Sequence, residues 1–250
     1  MLTLVCEDSI DGIFSAIYEV WNGRHNRDEI FLKAGSIGNY ELFMEYQNVA
    51  VCPVHVQKVA STIRRRFGEE TYETICYALW SNAEDKADVV YQMVRYGIEH
   101  KFGRGLQHHL TNPSIERVFE LSRGTSCEAH QYLGFIRFRK LENGIFYAPI
   151  QAKNYVLEAV ATHFADRIPA ENWVIHDTGY RRMAVHPSDC DWMVIDEAYA
   201  EELLRTRDAW GEEDIRQLWK NFCSSISIEA RENRELQRQN LPYRYRRNMV

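Results

Sequence analysis

Cysteine is sparse and unpaired in this chain: six residues, at positions 6, 52, 76, 127, 190 and 223, with no Cys-x-x-Cys spacing anywhere. That spacing speaks against a zinc ribbon, a thioredoxin-type redox motif and a Cys-ligated iron–sulfur cluster, so no cofactor and no metal are expected. Scattered thiols also fit a reducing compartment, and a cytoplasmic location is expected. No apolar run approaches the roughly 18 residues that a membrane span needs, so no membrane association is expected. Met1 to Cys6 is apolar but lacks basic residues and stops at Glu7-Asp8. It reads as a buried strand and not as a signal peptide. The sequence also lacks Gly-x-x-x-x-Gly-Lys-Ser/Thr, Gly-x-Gly-x-x-Gly after a strand, Gly-x-Ser-x-Gly and His-Glu-x-x-His. The signatures of a P-loop, a dinucleotide-binding Rossmann site, an α/β-hydrolase and a zincin are therefore missing. There are no internal repeats and no low-complexity segment.

What is present is core-forming. The 250 residues are 45% hydrophobic, with six Trp, eleven Phe and fourteen Tyr, which is enough for one large domain or two small ones. The net charge of −6 is unevenly spread. Residues 1–100 are net −6, residues 101–145 net +3, residues 146–230 net −7 and residues 231–250 net +4, with all six bases of the last segment Arg. An acidic body with two basic segments grips a phosphate backbone only locally, within a Debye length of roughly 8–10 Å.

Leu2 to Cys6 predicts a strand, and Asp8 or Ser9 caps a helix carrying Ile10, Ile13, Phe14, Ile17 and Trp21 at helical spacing. Gly23 to Gly38 reads as a loop. Pro53 starts a helix that Gly68 ends, and two further helices are marked by Tyr72 to Leu79 and Val89 to Ile98. Asn112-Pro113 starts another, through Ile115, Val118 and Phe119. The pattern then changes to alternation, Phe135-Ile136-Arg137-Phe138-Arg139, followed by the hairpin signal Asn143-Gly144 and a return strand to Ile150. With a helix over Tyr155 to Phe164 and strands at Trp173–Asp177 and Arg181–His186, residues 134–186 form a β-β-α-β-β unit. The expected fold class is α+β: a helix-rich N-terminal half, an antiparallel sheet unit, and C-terminal helices over Glu197–Arg207 and Glu212–Ile226. The expected division is a strand plus helical array over 1–110, and the sheet unit with helices and an Arg-rich tail over 111–250, or one continuous domain.

Four groups of residues carry candidate chemistry. The pairs Cys52/His55 and Cys127/His130 would supply four zinc ligands, but nine His and six Cys make such pairs common by chance. His130, His163 with Arg167, and His176 with Asp177 form a candidate polar site for acid–base work; a His at a helix end is more often a cap or a surface residue. If Ile136 and Phe138 face the core, alternation turns Phe135, Arg137 and Arg139 onto the opposite face, where two Arg and an aromatic suit bases and phosphates. The bland alternative is a solvated sheet face. Arg231, Arg234 and Arg238 repeat at i, i+3 and i+7 and share one helical face, and Tyr243, Arg244, Tyr245, Arg246 and Arg247 interleave aromatic and cation. The alternative there is a tail of intramolecular Glu–Arg pairs.

The tail from Ser227 to Met249 resembles the C-terminal signature of a bacterial family described as "probable DNA metabolism protein". His130-Gln-Tyr-Leu-Gly-Phe-Ile-Arg-Phe138, His163-Phe-Ala-Asp-Arg167 with Trp173-Val-Ile-His-Asp177, and the opening strand with Asp11-Gly12 and the helix through Trp21 carry the same resemblance over essentially the whole chain. Members of that family sit beside a radical SAM protein of DNA modification or repair, and a related domain is fused to a uracil-DNA glycosylase domain. The chain has no Cys-x-x-x-Cys-x-x-Cys of its own. The resemblance therefore implies an accessory DNA-binding partner of a radical SAM or glycosylase-type enzyme, with no catalytic role carried onto any residue. The alternative is an enzyme acting on a nucleobase or nucleotide through His130, His163 or His176. A third reading is a protein-interaction adaptor whose tail docks a partner.

Overall fold

The computed structural model describes residues 2–23, 29–37, 42–141, 144–200 and Tyr245. The fold is α+β, and the chain divides into two compact units, Met1–Cys127 and Glu128–Val250. Among the described residues no helix is long and apolar enough to cross a membrane.

In the first unit β1 (Leu2–Cys6) leads into α1 (Ile10–Asn22), followed by β2 (Ile30–Ala34), β3 (Glu45–Asn48), α2 (Pro53–Phe67), α3 (Glu69–Leu79) and α4 (Lys86–Glu99). The Ser9 side chain caps α1 by accepting from the Gly12 N–H at 3.0 Å. Gly12 is held close to the preceding turn: a Cβ there would lie 2.4 Å from the Glu7 carbonyl oxygen, so no larger residue fits. Gly68, at φ +94°, breaks α2 from α3. The three strands form an all-parallel sheet in the order β2-β1-β3, with Leu4 opposite Leu32 and Gln47. Strand β2 lies within the stretch Gly23–Gly38, whose polar, turn-rich sequence predicts only a loop. Only Ile30 and Leu32 of this five-residue edge strand are buried, too short a run to stand out among its polar, turn-rich flanks. The core joins Ile13, Phe14 and Ile17 of α1 to Ile63 and Phe67 of α2, Ile75 of α3, and Val90 and Tyr91 of α4. Each such side chain contributes roughly 1.5–3 kcal/mol by leaving water.

Helix α5 (Pro113–Phe135) starts where Asn112-Pro113 predicts, with the Asn112 side-chain oxygen accepting from Ser114 N at 3.0 Å and Ile115 N at 3.2 Å. It runs much further than its apolar pattern suggests. The strand expected over Phe135–Arg139 is replaced by the end of this helix and a two-residue strand, β4 (Arg139–Lys140). The buried positions Thr125, Glu128, Ala129, Tyr132 and Ile136 do keep helical spacing, but two of them are polar and hide the period.

The second unit continues with β5 (Phe146–Ile150), α6 (Leu157–Arg167), β6 (Trp173–Asp177), β7 (Arg182–His186) and β8 (Met193–Asp196) in a five-stranded sheet of order β4-β5-β6-β7-β8. The β4–β5 and β6–β7 pairs are antiparallel, as expected, and β8, a strand the sequence does not announce, pairs antiparallel to β7. The β5–β6 pair is parallel, which corrects the purely antiparallel sheet. The reason is α6: a helix between two neighbouring strands returns the chain to its starting end, so the strands it joins run the same way. Glu197–Ala200 is a 3-10 turn; the rest of the expected C-terminal helices lies outside the described residues.

Candidate functional site

The structure does not assemble the expected basic sheet face. Phe135 closes α5, and the Arg137 guanidinium donates back to the carbonyls of Gly134 and Ile136, both at 2.8 Å, so it caps the end of that helix. Arg139 lies 5.0 Å from the centre of the Tyr147 ring across the β4–β5 ladder. Three residues read as one binding face are thus a helix terminus, its cap and a cross-strand contact. Of the tail, Arg231, Arg234, Arg238, Tyr243, Arg244, Arg246 and Arg247 lie outside the described residues. Tyr245 is described, and it is buried. Its hydroxyl donates to Gln131 Oε1 at 2.6 Å, and its ring packs on Tyr132 and Phe135 with centroids 4.9 and 5.0 Å away. A ring buried in this way against α5 is not presented to a base, so Tyr245 leaves the candidate interface.

The candidate polar residues are also dispersed. His163 and Arg167 are exposed on α6, and His130 is exposed on α5. His176 and Asp177 are both buried, but as neighbours on one strand they point to opposite faces of the sheet. The His176 side shares its face with Tyr147, Val174 and Met183. His176 Nδ1 and the Tyr147 hydroxyl share a 2.7 Å hydrogen bond, and Nε2 stands 3.3 Å from Glu197 Oε1 without an aligned hydrogen bond. Burial holds the His176 pKa below its ordinary value, against the pull of Glu197. Glu197 is itself paired with Arg181 at 2.9 Å.

Asp177 ends β6 beside the carboxyl end of its parallel neighbour β5, where open α/β sheets place ligands. Here that end is fastened shut by the protein itself. Asp177 Oδ1 accepts from Gly179 N at 3.0 Å and Tyr180 N at 3.3 Å. Glu128 accepts from Lys153 N, Asn154 N and the Asn154 side-chain amide at 2.7–3.0 Å, and the Tyr180 hydroxyl donates to the Lys153 carbonyl at 3.0 Å. Burial pushes the Asp177 pKa up to about 6, with the Glu128 carboxylate adding to the rise and the N–H groups of Tyr180, Gly179 and Ala152 offsetting part of it. The two carboxylates act first as acceptors that tie down the β5–α6 and β6–β7 loops. Among the described residues no group of three His, Cys, Asp or Glu side chains is placed to hold a metal. His55, read as half of a Cys-x-x-His pair, instead stacks on Tyr18 at 3.9 Å and pairs with Glu19 at 3.3 Å.

A cleft that no motif in the sequence marks lies in the first unit. It is an open cleft of about 570 Å³ between α1, α2 and α4, lined by the apolar Ile17, Trp21, Val94 and Ile98 of α1 and α4 and by the cations Lys58, Arg65 and Arg66 of α2. Helix α2 supplies these cations at i, i+7 and i+8, and it carries four Lys and Arg residues with no Asp or Glu. Arg64 is committed to the fold, pairing with Glu69 at 3.1 Å and lying 3.7 Å from the centre of the Tyr72 ring. Lys58 donates to the Tyr18 hydroxyl at 3.2 Å on the cleft wall. Arg65 and Arg66 have no ion-pair partner among the described residues. The fifteen-residue stretch without an acid is the available signal, and averaging charge over residues 1–100 conceals it.

Residues 84–250 match the model of a family described as a domain of unknown function, DUF4130. No curated protein matches the chain. Among solved structures, a DHH domain described as belonging to a family of ribosomal proteins aligns with 75% of this chain and 74% of its own, at 11% identity and a TM-score of 0.31. At that score the likeness carries no argument.

Proposed function

The chain belongs to the DUF4130 family, and from that premise we propose that it is a DNA-binding accessory protein of DNA repair or modification, one that presents DNA to a radical SAM or glycosylase-type partner. The observation that carries this reading is helix α2: Lys58, Arg64, Arg65 and Arg66 without one acidic residue, in a protein of net charge −6. Phosphate binding draws on such clustered cations, and Arg pairs phosphate through two parallel N–H donors. The sequence resemblance supplies the DNA context and the class of partner.

The alternative, an enzyme using His130, His163 or His176, draws less support from the geometry. His130 and His163 are exposed on different helices, while His176 is buried on the sheet face away from Asp177. Asp177, with its pKa pushed up to about 6, is the group with acid–base character, and it is occupied with loop N–H donors. Fluorescence anisotropy of the full chain on labelled single-stranded and duplex oligonucleotides, with pull-down of a co-expressed radical SAM partner with and without DNA, tests the proposal. Binding at low salt that weakens steeply with added salt supports it; no binding to either DNA form at low salt removes it for the isolated chain.

A further inference from the structure

We infer that the cleft between α1, α2 and α4 is a pocket for one unpaired nucleotide, with the base against Trp21 and the phosphates on Arg65 and Arg66; the inference deepens the DNA-binding reading and rests on it for the polymeric source of that nucleotide. Three features of the cleft point the same way. Its volume of about 570 Å³ lies within the roughly 300–1,000 Å³ that small-ligand sites occupy, and is too small for a duplex. Its apolar side offers the half-buried Trp21 and Ile98, backed by the fully buried Ile17 and Val94 of core helices, so it is a firm surface and not a loop that must first be ordered. A base binds such a surface by stacking and by apolar contact, with little regard to its identity.

The basic side decides the charge of the occupant. Arg64, Arg65 and Arg66 stand in the last turn of α2, where cations favour the helix dipole, and that alone would account for one or two of them. It does not account for their directions. Arg64 turns to Glu69 and Tyr72, whereas Arg65 and Arg66 line the cleft together with Lys58 and meet no carboxylate among the described residues. Three cations on one side of an apolar pocket call for a ligand with an apolar plane and an anionic end. A neutral apolar peptide would bring these cations no counter-charge, and an inorganic anion would make no use of the apolar lining. A nucleotide satisfies both sides. A nucleotide in a single strand and a free mononucleotide share this chemistry, and the experiment separates them.

The test uses the full chain and four probes: a labelled single-stranded oligonucleotide, a blunt duplex, a duplex with one unpaired base, and dAMP. The variants are Arg65→Ser with Arg66→Ser, both exposed, and Trp21→Leu, which keeps the wall apolar; thermal melting checks that each is folded. The expected result is preference for the single strand and the unpaired base over the blunt duplex, and competition by dAMP. The double Arg variant should flatten the salt dependence of single-strand binding by about 1.4 units, at roughly 0.7 per phosphate. Trp21→Leu should weaken binding by about 5- to 150-fold, the range that base stacking supplies, at an unchanged slope. Wild-type binding that neither variant alters overturns the pocket and leaves the DNA-binding reading intact. Equal affinity for the blunt duplex and the single strand also overturns the pocket. Binding of dAMP alone, lost in the double Arg variant, keeps the pocket, assigns it to free nucleotides and overturns the accessory role. Binding of no probe overturns both.

Discussion

Asp177 shows how one residue couples burial, hydrogen bonding and pH. Its carboxyl is fully buried, its pKa is raised to about 6 by that burial, and its Oδ1 orders the turn from Gly179 to Tyr180. A carboxyl whose folded pKa exceeds its unfolded value of 3.8 stabilises the fold fully below about pH 4, and the contribution disappears as pH rises through about 6. Asp177→Asn retains an acceptor for the two N–H groups and removes the buried charge beside Glu128. The variant should therefore be more stable than the wild type at about pH 8, by up to about 3 kcal/mol, with the advantage vanishing at about pH 4. Urea unfolding at the two pH values measures this. A variant less stable at the higher pH would show that the charge itself holds the loops. Tyr245→Phe removes the hydroxyl that donates to Gln131 while keeping the ring against Tyr132 and Phe135. A loss of about 1 kcal/mol in stability is expected, with DNA affinity unchanged. Weaker DNA binding at unchanged stability would return Tyr245 to the interface.

At the scale of elements, the helices α1, α2, α3, α4 and α6 are legible in the sequence because each carries an apolar face of the right period, to which α1 and α2 add start or stop signals. Ser9 caps α1, Pro53 opens α2 and Gly68 closes it. Strands β6 and β7 are legible as two short, largely apolar runs on either side of Thr178-Gly179. What is hidden has a physical cause in each case. β2 is a five-residue parallel edge strand with only Ile30 and Leu32 buried, β3 (Glu-Tyr-Gln-Asn) is a polar edge strand, and α5 buries Thr125 and Glu128 where apolar residues would have shown its period. The candidate site is less legible still. Phe135, Arg137 and Arg139 are joined by an alternation that is accidental, because Arg137 belongs to the cap of α5. The α2 cations emerge only when charge is counted over one helix. Gly97 illustrates a packing constraint no pattern announces: a Cβ there would meet Leu106 Cδ2 at 2.5 Å and Phe67 Cζ at 2.8 Å, both fully buried side chains. Gly97→Ala improves the intrinsic propensity of α4 by about 1 kcal/mol yet should destabilise the protein by about 1–3 kcal/mol through overpacking. A melting temperature that rises instead would mean that Leu106 and Phe67 repack without strain.

At the scale of the whole molecule, the net charge of −6 opposes DNA at long range, so any binding rests on local cation clusters inside the Debye length. Two such clusters exist in the sequence: the acid-free α2, and the tail with Arg231, Arg234, Arg238, Arg244, Arg246 and Arg247. If about four cations neutralise phosphates, log affinity falls with log salt at a slope of about −3 to −4. The clusters can be told apart by how they divide that slope. Arg244, Arg246 and Arg247 changed together to Ala should flatten it by about 2–3 units if the tail lies along the backbone, whereas Arg65→Ser with Arg66→Ser should flatten it by about 1.4 units through the cleft. Contributions from separate phosphates add, so the variant combining all five changes should lose nearly all salt dependence if both clusters touch one DNA. In the adaptor reading the tail docks on protein instead. The Ala triple then loosens the complex with the radical SAM partner and leaves the DNA slope unchanged, while the Arg65 and Arg66 pair still reduces it. A salt series on wild type, triple, pair and combined variants, paired with pull-down of the partner, assigns each cluster to DNA or to protein.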